Sequence, residues 1–63
     1  MQVRDCKSGD IVNYNGEVLW IRPGVGALAA CYKSREDYDA QRNTGFIRKS
    51  AEVVLEADGN QYD

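Results

Sequence analysis

The stretch from Gly9 to Ile21, GDIVNYNGEVLWI, decides the fold class of this chain. At its centre is Asn15-Gly16, the dipeptide most typical of a two-residue type I′ turn, because both turn positions need a positive φ. The turn predicts one strand over about residues 10–14 and a second over residues 17–22. A two-residue turn also sets the register, so Tyr14 is expected to pair with Glu17.

Both faces of this hairpin are apolar, which is unusual for a hairpin in a small soluble protein. Side chains alternate between the faces of a strand, so the register assigns one set to each face. One face carries Val12, Tyr14, Leu19 and Ile21, and the other carries Ile11, Val18, Trp20 and Arg22, with Asn13 between them. We expect Val12, Leu19 and Ile21 to face the core. The face with Ile11, Val18 and Trp20 must then be buried by another part of the chain or by a partner.

The rest of the chain predicts three more strands. The segment Pro23–Gly26 reverses the chain, because Pro23 lacks the ladder donor and glycine permits a tight turn. Strands are expected over residues 27–33, 44–49 and 53–56, with a 3₁₀ turn at 50–52. They add a further group of predicted core residues: Leu28, Ala30, Phe46 or Ile47, Val53 and Leu55.

The polar segment Ser34–Asn43 separates the third strand from the fourth. Ser34 and Asp37 have the spacing of a capping box, which favours one or two helical turns, and a loop is the alternative. The tail from Ala57 to Asp63 is predicted to fray. We therefore predict an all-β fold, a five-stranded small barrel with a short helical or loop insert after the third strand. Closure of the barrel would remove exposed strand edges.

Two pieces of the chain resemble SH3-like small β-barrels of the kind common in bacterial and phage proteins. KSGDIVNYNGEVLWI is similar to the first strand and hairpin of such barrels, and TGFIRKSAEVVLE resembles their last two strands with the turn between them. The resemblance implies an architecture only, since one fold hosts many functions. Asn15-Gly16 closes a connection that is long in signalling SH3 domains, and the aromatic and proline residues of their peptide groove have no clear counterparts. Binding of proline-rich peptides is therefore not implied.

Composition argues against several classes of site. The chain has 63 residues and no histidine, so two distant cysteines, Cys6 and Cys31, cannot form a zinc site by themselves. We interpret them as small buried apolar side chains, with a single disulfide as the alternative. The acidic run Arg35–Asp39 is interpreted as solvated and lacks the spacing of an EF-hand loop. We predict no catalytic residues, no metal and no cofactor.

The N-terminus and the hydropathy of the chain bear on its location. No apolar run is long enough to span a membrane, and MQVRDCKSGD lacks the apolar region of a signal peptide. We expect a cytoplasmic protein that does not bind membranes.

The apolar second face of the hairpin suggests a non-enzymatic protein-binding module. A domain of this size has a marginal core, so burying the second face against a protein partner or a second copy would stabilise it. The interface is expected to centre on Trp20 with Ile11, Val18 and Arg22, because Trp and Arg are enriched at interface hot spots. Such a chain fits a small accessory or phage-encoded protein that binds a larger one.

Two alternatives remain open for the same residues. The chain can cover its own second face, through residues 34–43 or the tail. It can also be a nucleic-acid-binding barrel that uses the cations and aromatic residues near strand ends: Arg22, Lys33, Arg48, Lys49 and Tyr32. The net charge of −2 argues against the nucleic-acid alternative, because phosphate contacts favour basic proteins.

Overall fold

The Asn15-Gly16 turn forms the exposed tip of the predicted hairpin. In the computed structural model, which describes residues 1–58, Asn15 has a φ of 52° and Gly16 a φ of 86°. These are the positive values that a type I′ turn requires. The turn joins β1 (Ile11–Tyr14) to β2 (Glu17–Pro23). The predicted register of the hairpin is confirmed along its whole length.

Three further strands complete one antiparallel sheet. They are β3 (Leu28–Tyr32), β4 (Gly45–Arg48) and β5 (Val54–Ala57). The order across the sheet is β4-β3-β2-β1-β5, so four strands follow one another as a meander and the last returns to the first. The prediction of an all-β fold with five strands is confirmed.

The core lies on the predicted face of the hairpin. Val12 and Ile21 are fully buried, and Leu19 is nearly so. The other buried members of the core cluster come from the N-terminal segment, β3, β4 and the residue before β5: Val3, Cys6, Ala29, Cys31, Ile47 and Val53. Both cysteines are buried with free thiols, as expected of small apolar side chains.

Strand β3 faces the core with the opposite set of side chains from the set that we predicted. Leu28 is 48% exposed and Ala30 is only partly buried, whereas Ala29 and Cys31 are in the core. The pairing with β2 explains the difference, since Cys31 lies opposite Ile21 and directly opposed residues share a face. The prediction for Leu28 and Ala30 was therefore wrong.

The two edge strands decide one predicted core position and correct another. Of the β4 pair Phe46 and Ile47, Ile47 is the buried residue and Phe46 is 66% exposed. Leu55 on β5 is 41% exposed and is not a core residue. Leu55 lies opposite Val12, on the inner face, but β5 has a strand neighbour on one side only within the described sheet.

The sheet does not close into a barrel, so this part of the prediction was wrong. The outer strands β4 and β5 are not neighbours, and the N-terminal segment bonds to the connection between them. The Arg4 N–H donates to the Lys49 carbonyl at 2.9 Å, the Val3 N–H to that of Ala51 at 3.0 Å, and the Val53 N–H to that of Met1 at 2.8 Å. These backbone groups therefore pair with the N-terminus instead of with a closing strand.

The short connecting segments also differ in part from expectation. The only 3₁₀ turn described is Val3–Asp5. The predicted one at residues 50–52 is instead a single turn, in which the Ala51 N–H donates to the Arg48 carbonyl at 3.0 Å, followed by a bridge between Glu52 and Gln2.

Residues 34–43 contain a helix. In α1 (Arg35–Asp39), the Ser34 hydroxyl accepts a hydrogen bond of 3.1 Å from the Asp37 N–H, so Ser34 is the N-cap. Ala57 ends β5, and residues 59–63 of the tail, which we predicted to fray, lie outside the described residues. Within residues 1–58, no helix has the length and apolar character that a membrane span requires.

The sheet curves around its core. One core cluster joins Ile47 on the outer strand β4 to Val12 on β1 and Val53 beside β5, and the described chain measures 25 × 21 × 20 Å. The concave inner side holds the core, and the convex outer side carries the second face of the hairpin. The outer face and the open side of the curved sheet are the two places to look for a functional site.

Candidate functional site

The sequence-predicted partner surface is on the outer face, and much of it is already covered. Ile11 is 8% exposed, Trp20 and Arg22 are partly buried, and Val18 alone of the four is well exposed, at 43%. The four residues therefore share a face, as their register requires, but they do not form one open patch.

Helix α1 supplies part of the cover. The Arg22 guanidinium lies over the Tyr38 ring, 4.1 Å from its centroid, and its Nη2 donates to the Tyr38 carbonyl at 3.1 Å. The Tyr38 ring meets the Tyr32 ring edge-on at a centroid distance of 5.2 Å. Tyr32 is 3% exposed. The alternative in which residues 34–43 cover the second face is thus observed around Arg22 and Tyr32.

Hydrogen bonds and ion pairs at the C-terminal end of α1 stabilise the helix that covers Arg22 and Tyr32. Its C-terminal end is a Schellman motif, in which the Arg42 N–H donates to the Asp37 carbonyl at 2.9 Å and the Gln41 N–H to the Tyr38 carbonyl at 3.1 Å. Arg42 also pairs with the Asp37 carboxylate at 3.1 Å. The acidic run of the helix is therefore partly neutralised by its own arginines, Arg35 and Arg42.

Among residues 1–58, two buried donors on the outer face have no acceptor. Trp20 Nε1 and Arg22 Nε are buried, and neither finds a hydrogen-bond partner within the described structure. A buried donor without an acceptor costs about 1–3 kcal/mol. The apolar and stacking contacts of the outer face must offset this cost in the folded protein.

An open groove lies at the β4 edge of the sheet, between β4 and the tip of the β1–β2 hairpin, and it is lined by side chains from both faces. Its volume is about 660 Å³, within the range of about 300–1,000 Å³ that is usual for ligand pockets. It is the open mouth of the concave face, where closure of a barrel would have filled the space. The groove is lined by residues from four parts of the chain: Tyr14, Glu17, Leu19, Cys31, Lys33, Thr44, Phe46, Ile47, Arg48, Ser50 and Ala51.

The groove has an apolar floor and a mixed rim. Leu19, Cys31 and Ile47 form the buried floor, because each belongs to the core cluster. Phe46 stands on the rim at 66% exposure, which is high for so large an apolar side chain. Tyr14 is the second exposed aromatic residue there. This is the combination of apolar floor and a few polar groups that binding pockets use.

The groove also carries positive charge. Lys33 and Arg48 line it, against a single carboxylate, Glu17. Within residues 1–58, neither cation makes an ion pair or a side-chain hydrogen bond. Although the net charge of the protein is −2, the groove contains two unpaired cations, Lys33 and Arg48, and the exposed ring of Phe46.

The backbone of β4 faces this groove. The Lys49 N–H donates to the Ala27 carbonyl at 2.9 Å, so it points toward β3. Since N–H groups on an antiparallel strand alternate in direction, the Ile47 N–H also points toward β3. The N–H groups of Phe46 and Arg48 then point away from the sheet. Within residues 1–58, β4 is therefore an edge strand whose outward donors lie beside an apolar floor.

The five residues of the nucleic-acid alternative do not form one surface. Lys33 and Arg48 lie in the groove, whereas Arg22 and Tyr32 lie under α1 on the outer face. Lys49 donates to the Gly24 carbonyl. Arg48 and Lys49 also line a second hollow with Arg4.

The cysteines show no sign of chemical activation. Burial raises the pKa of the Cys31 thiol above its usual value, and the hydrogen bond with the side chain of Thr44 only partly opposes it. Burial likewise raises the pKa of Cys6, and the carboxylates of Asp10 and Asp5 act in the same direction. A raised pKa leaves less thiolate at neutral pH, and the thiolate is the nucleophile. Within residues 1–58 no three metal-ligating side chains gather into a site.

Sequence reasoning did not identify the groove as a site. It forms only when the hairpin tip, the end of β3 and the edge of β4 come together across long sequence separations. One signal was available: in TGFIRK the side chains of Phe46 and Ile47 must lie on opposite faces, so one of these two large apolar residues had to be exposed. Comparisons of the chain with protein-family models, with curated proteins and with solved structures gave no match in any of the three.

Proposed function

We propose that this chain is a non-enzymatic protein-binding module whose binding site is the groove beside β4. The observation that supports it most is the exposure of Phe46, at 66%, on an edge strand whose outward N–H groups border an open groove of about 660 Å³ with an apolar floor. Exposed edges and large exposed apolar side chains are liabilities that a small protein normally blunts. Their coincidence at one groove favours a role in binding.

The Trp20 face is the other candidate protein surface. A partner there would contact Val18 directly, but it would have to displace α1 to reach Arg22 and Tyr32. The groove needs no such rearrangement. An SH3-like relationship is supported by the meander whose last strand returns to β1 and by the curvature of the sheet. That relationship, the cytoplasmic location and the role as an accessory or phage-encoded protein stay predictions.

Nucleic-acid binding is the second candidate function. It is favoured by the two unpaired cations in the groove, Lys33 and Arg48, together with the aromatic rings of Tyr14 and Phe46, since single strands bind by stacking and phosphate contacts. The overall negative charge opposes it.

Selection from a displayed library of random dodecapeptides tests the proposal. Peptides enriched on the wild-type protein should lose binding to Phe46→Ala and to Arg48→Ala. They should keep binding to Val18→Ala, the matched control, because Val18 is an exposed apolar residue on the outer face. Enriched peptides that lose binding only to Val18→Ala would move the site to the Trp20 face. If no peptide is enriched and oligodeoxythymidylate binds with steep salt dependence, the nucleic-acid candidate replaces this one.

A further inference from the structure

We propose that the groove binds an acidic, extended segment of a partner protein, which adds to the sheet as a strand beside β4. This inference rests on the proposed function and specifies its partner: the segment is recognised through its backbone, and its carboxylates give it preference over neutral or basic segments. Strand addition to an exposed sheet edge is a common mode of peptide recognition, in which main-chain hydrogen bonds provide affinity and side-chain pockets provide specificity.

The backbone of β4 has the required pattern. The N–H groups of Phe46 and Arg48 point away from β3, as the Lys49–Ala27 hydrogen bond establishes. The Phe46 carbonyl shares that outward direction, whereas the Arg48 carbonyl already accepts from the Ala51 N–H. An added strand can therefore make a reciprocal pair of hydrogen bonds with Phe46 and one more with Arg48. Four residues of β4 match about 13 Å of extended peptide.

The inner and outer sides of the β4 edge carry different side chains. An added strand would alternate its side chains between the inner and outer sides of the sheet. Those on the inner side would meet the floor residues Leu19 and Ile47. Those on the outer side would lie beside Phe46 and Arg48, which share the outer face of β4. The groove therefore suits a segment that alternates apolar and polar residues.

The positive charge of the groove favours an acidic segment over a neutral or basic one. Lys33 and Arg48 are unpaired within the described chain, and Glu17 is the one opposing carboxylate of the groove. Arg4 and Lys49 add positive charge on the far side of Arg48. A second copy of β4 would bring the same cations against these, so self-pairing of two β4 edges is disfavoured by like charge. A carboxylate-bearing strand is favoured by the same cations.

The test uses a matched pair of peptides and the full-length ¹⁵N-labelled protein. The first probe is the capped heptapeptide Glu-Val-Glu-Val-Glu-Val-Glu. The second is identical except that the amides on one edge are N-methylated, so its charge and side chains are unchanged while that edge cannot donate to a strand. Two versions of this analogue are made, one methylated at the glutamate amides and one at the valine amides. The amides of these two sets point to opposite edges of an extended peptide, so both edges are tested.

We expect the first probe to shift the amide resonances of residues 45–48 and to bind at sub-millimolar concentration. One of the two methylated versions should bind at least about tenfold more weakly, because it loses the hydrogen bond to the Phe46 carbonyl and its methyl groups block close approach to the β4 edge. The lysine counterpart of the heptapeptide should show no binding. On the protein side, Phe46→Pro should weaken binding beyond Phe46→Ala, since proline removes the outward N–H without removing a ladder bond to β3.

The outcomes separate this inference from the proposed function. If both methylated versions bind as well as the parent peptide, strand addition is wrong, although the groove remains a peptide site. If the lysine peptide binds as well as the glutamate peptide, the acidic specificity is wrong. No shift with any peptide at millimolar concentration would overturn the inference, and shifts at the same residues with oligodeoxythymidylate alone would overturn both.

Discussion

Gln41 has a φ of 59°, a left-handed conformation that glycine adopts without strain and most other residues do not. It is the residue just past the C-cap of α1, the usual place of glycine in a Schellman motif. We predict that Gln41→Gly raises the free energy of unfolding by about 1 kcal/mol. Urea denaturation measures it.

Ala40 provides the matched control for this substitution. It is the C-cap residue and has a φ of −84°, an ordinary right-handed conformation. Ala40→Gly should therefore lower stability by about 0.5–1 kcal/mol. If both glycine variants were destabilised equally, the strain assigned to Gln41 would be absent.

The two cysteines predict a pH dependence of stability. Burial raises the pKa of both thiols, so the folded protein holds these protons more tightly than the unfolded chain does. The stabilisation is complete below the usual thiol pKa of about 8.5. As the pH rises above that value the unfolded chain ionises first, so the free energy of unfolding should fall, and it continues to fall until the folded thiols ionise.

Unfolding by urea at about pH 7.5 and about pH 9.5, on either side of the thiol pKa, measures this effect. The variant with Cys6→Ala and Cys31→Ala should be less stable overall but should lose less stability across this interval. An equal loss in the two proteins would show that the thiols do not contribute to the alkaline dependence.

Sequence reasoning was most successful where single residues constrain the backbone. Asn15 and Gly16 determined a register that the structure reproduces pair by pair, and the choice of Val12 and Leu19 as core residues was correct. It was wrong for Leu28, which looked like a core residue by size. The pairing of β3 with β2 places Cys31 opposite Ile21, and no local feature of the sequence shows that pairing.

Among the elements, α1 covers part of the outer face through Tyr38. It has five residues, too few to be stable alone, so its contacts with Arg22 and Tyr32 must hold it. We predict that Tyr38→Ala lowers the free energy of unfolding by about 1–3 kcal/mol, because it removes a cation–π contact and an edge-on aromatic pair. It should also shift the fluorescence of Trp20 to longer wavelength as the face opens.

Asp39→Ala is the control on the same helix. It removes an exposed i,i+4 ion pair with Arg35, whose atoms are 3.5 Å apart, and such pairs contribute less than about 0.5 kcal/mol. The Trp20 emission should be unchanged. Equal losses of stability in the two variants would mean that Tyr38 contributes only to the helix itself and not to the cover.

The existence of α1 could be predicted in part, because Ser34 and Asp37 have the spacing of an N-terminal cap. Its role could not. The sequence shows that the second face of the hairpin needs a cover, and it offers residues 34–43 as one candidate among several. Only the approach of the Tyr38 ring to the Arg22 guanidinium identifies the cover, and that contact depends on how the chain leaves β3.

At the scale of the whole molecule, the decisive feature is a sheet that curves but does not close. The five strands and their alternation were predictable, whereas the open side was not. We attribute it to the N-terminal segment, whose residues 1–4 bond to the connection between β4 and β5, so that within residues 1–58 β4 has an unpaired edge. The candidate site is therefore a consequence of how the N-terminal segment meets this connection.

Native-state amide hydrogen exchange, read residue by residue by NMR at a concentration where the protein is monomeric, tests whether the β4 edge is unpaired. An unpaired β4 edge predicts an alternation in which the amides of Phe46 and Arg48 exchange fast, while those of Ile47 and Lys49, which bond to β3, are protected. Strong protection of Phe46 and Arg48, equal to that of Ile47, would contradict the account. It would mean that the edge is already paired and that the groove beside β4 is closed.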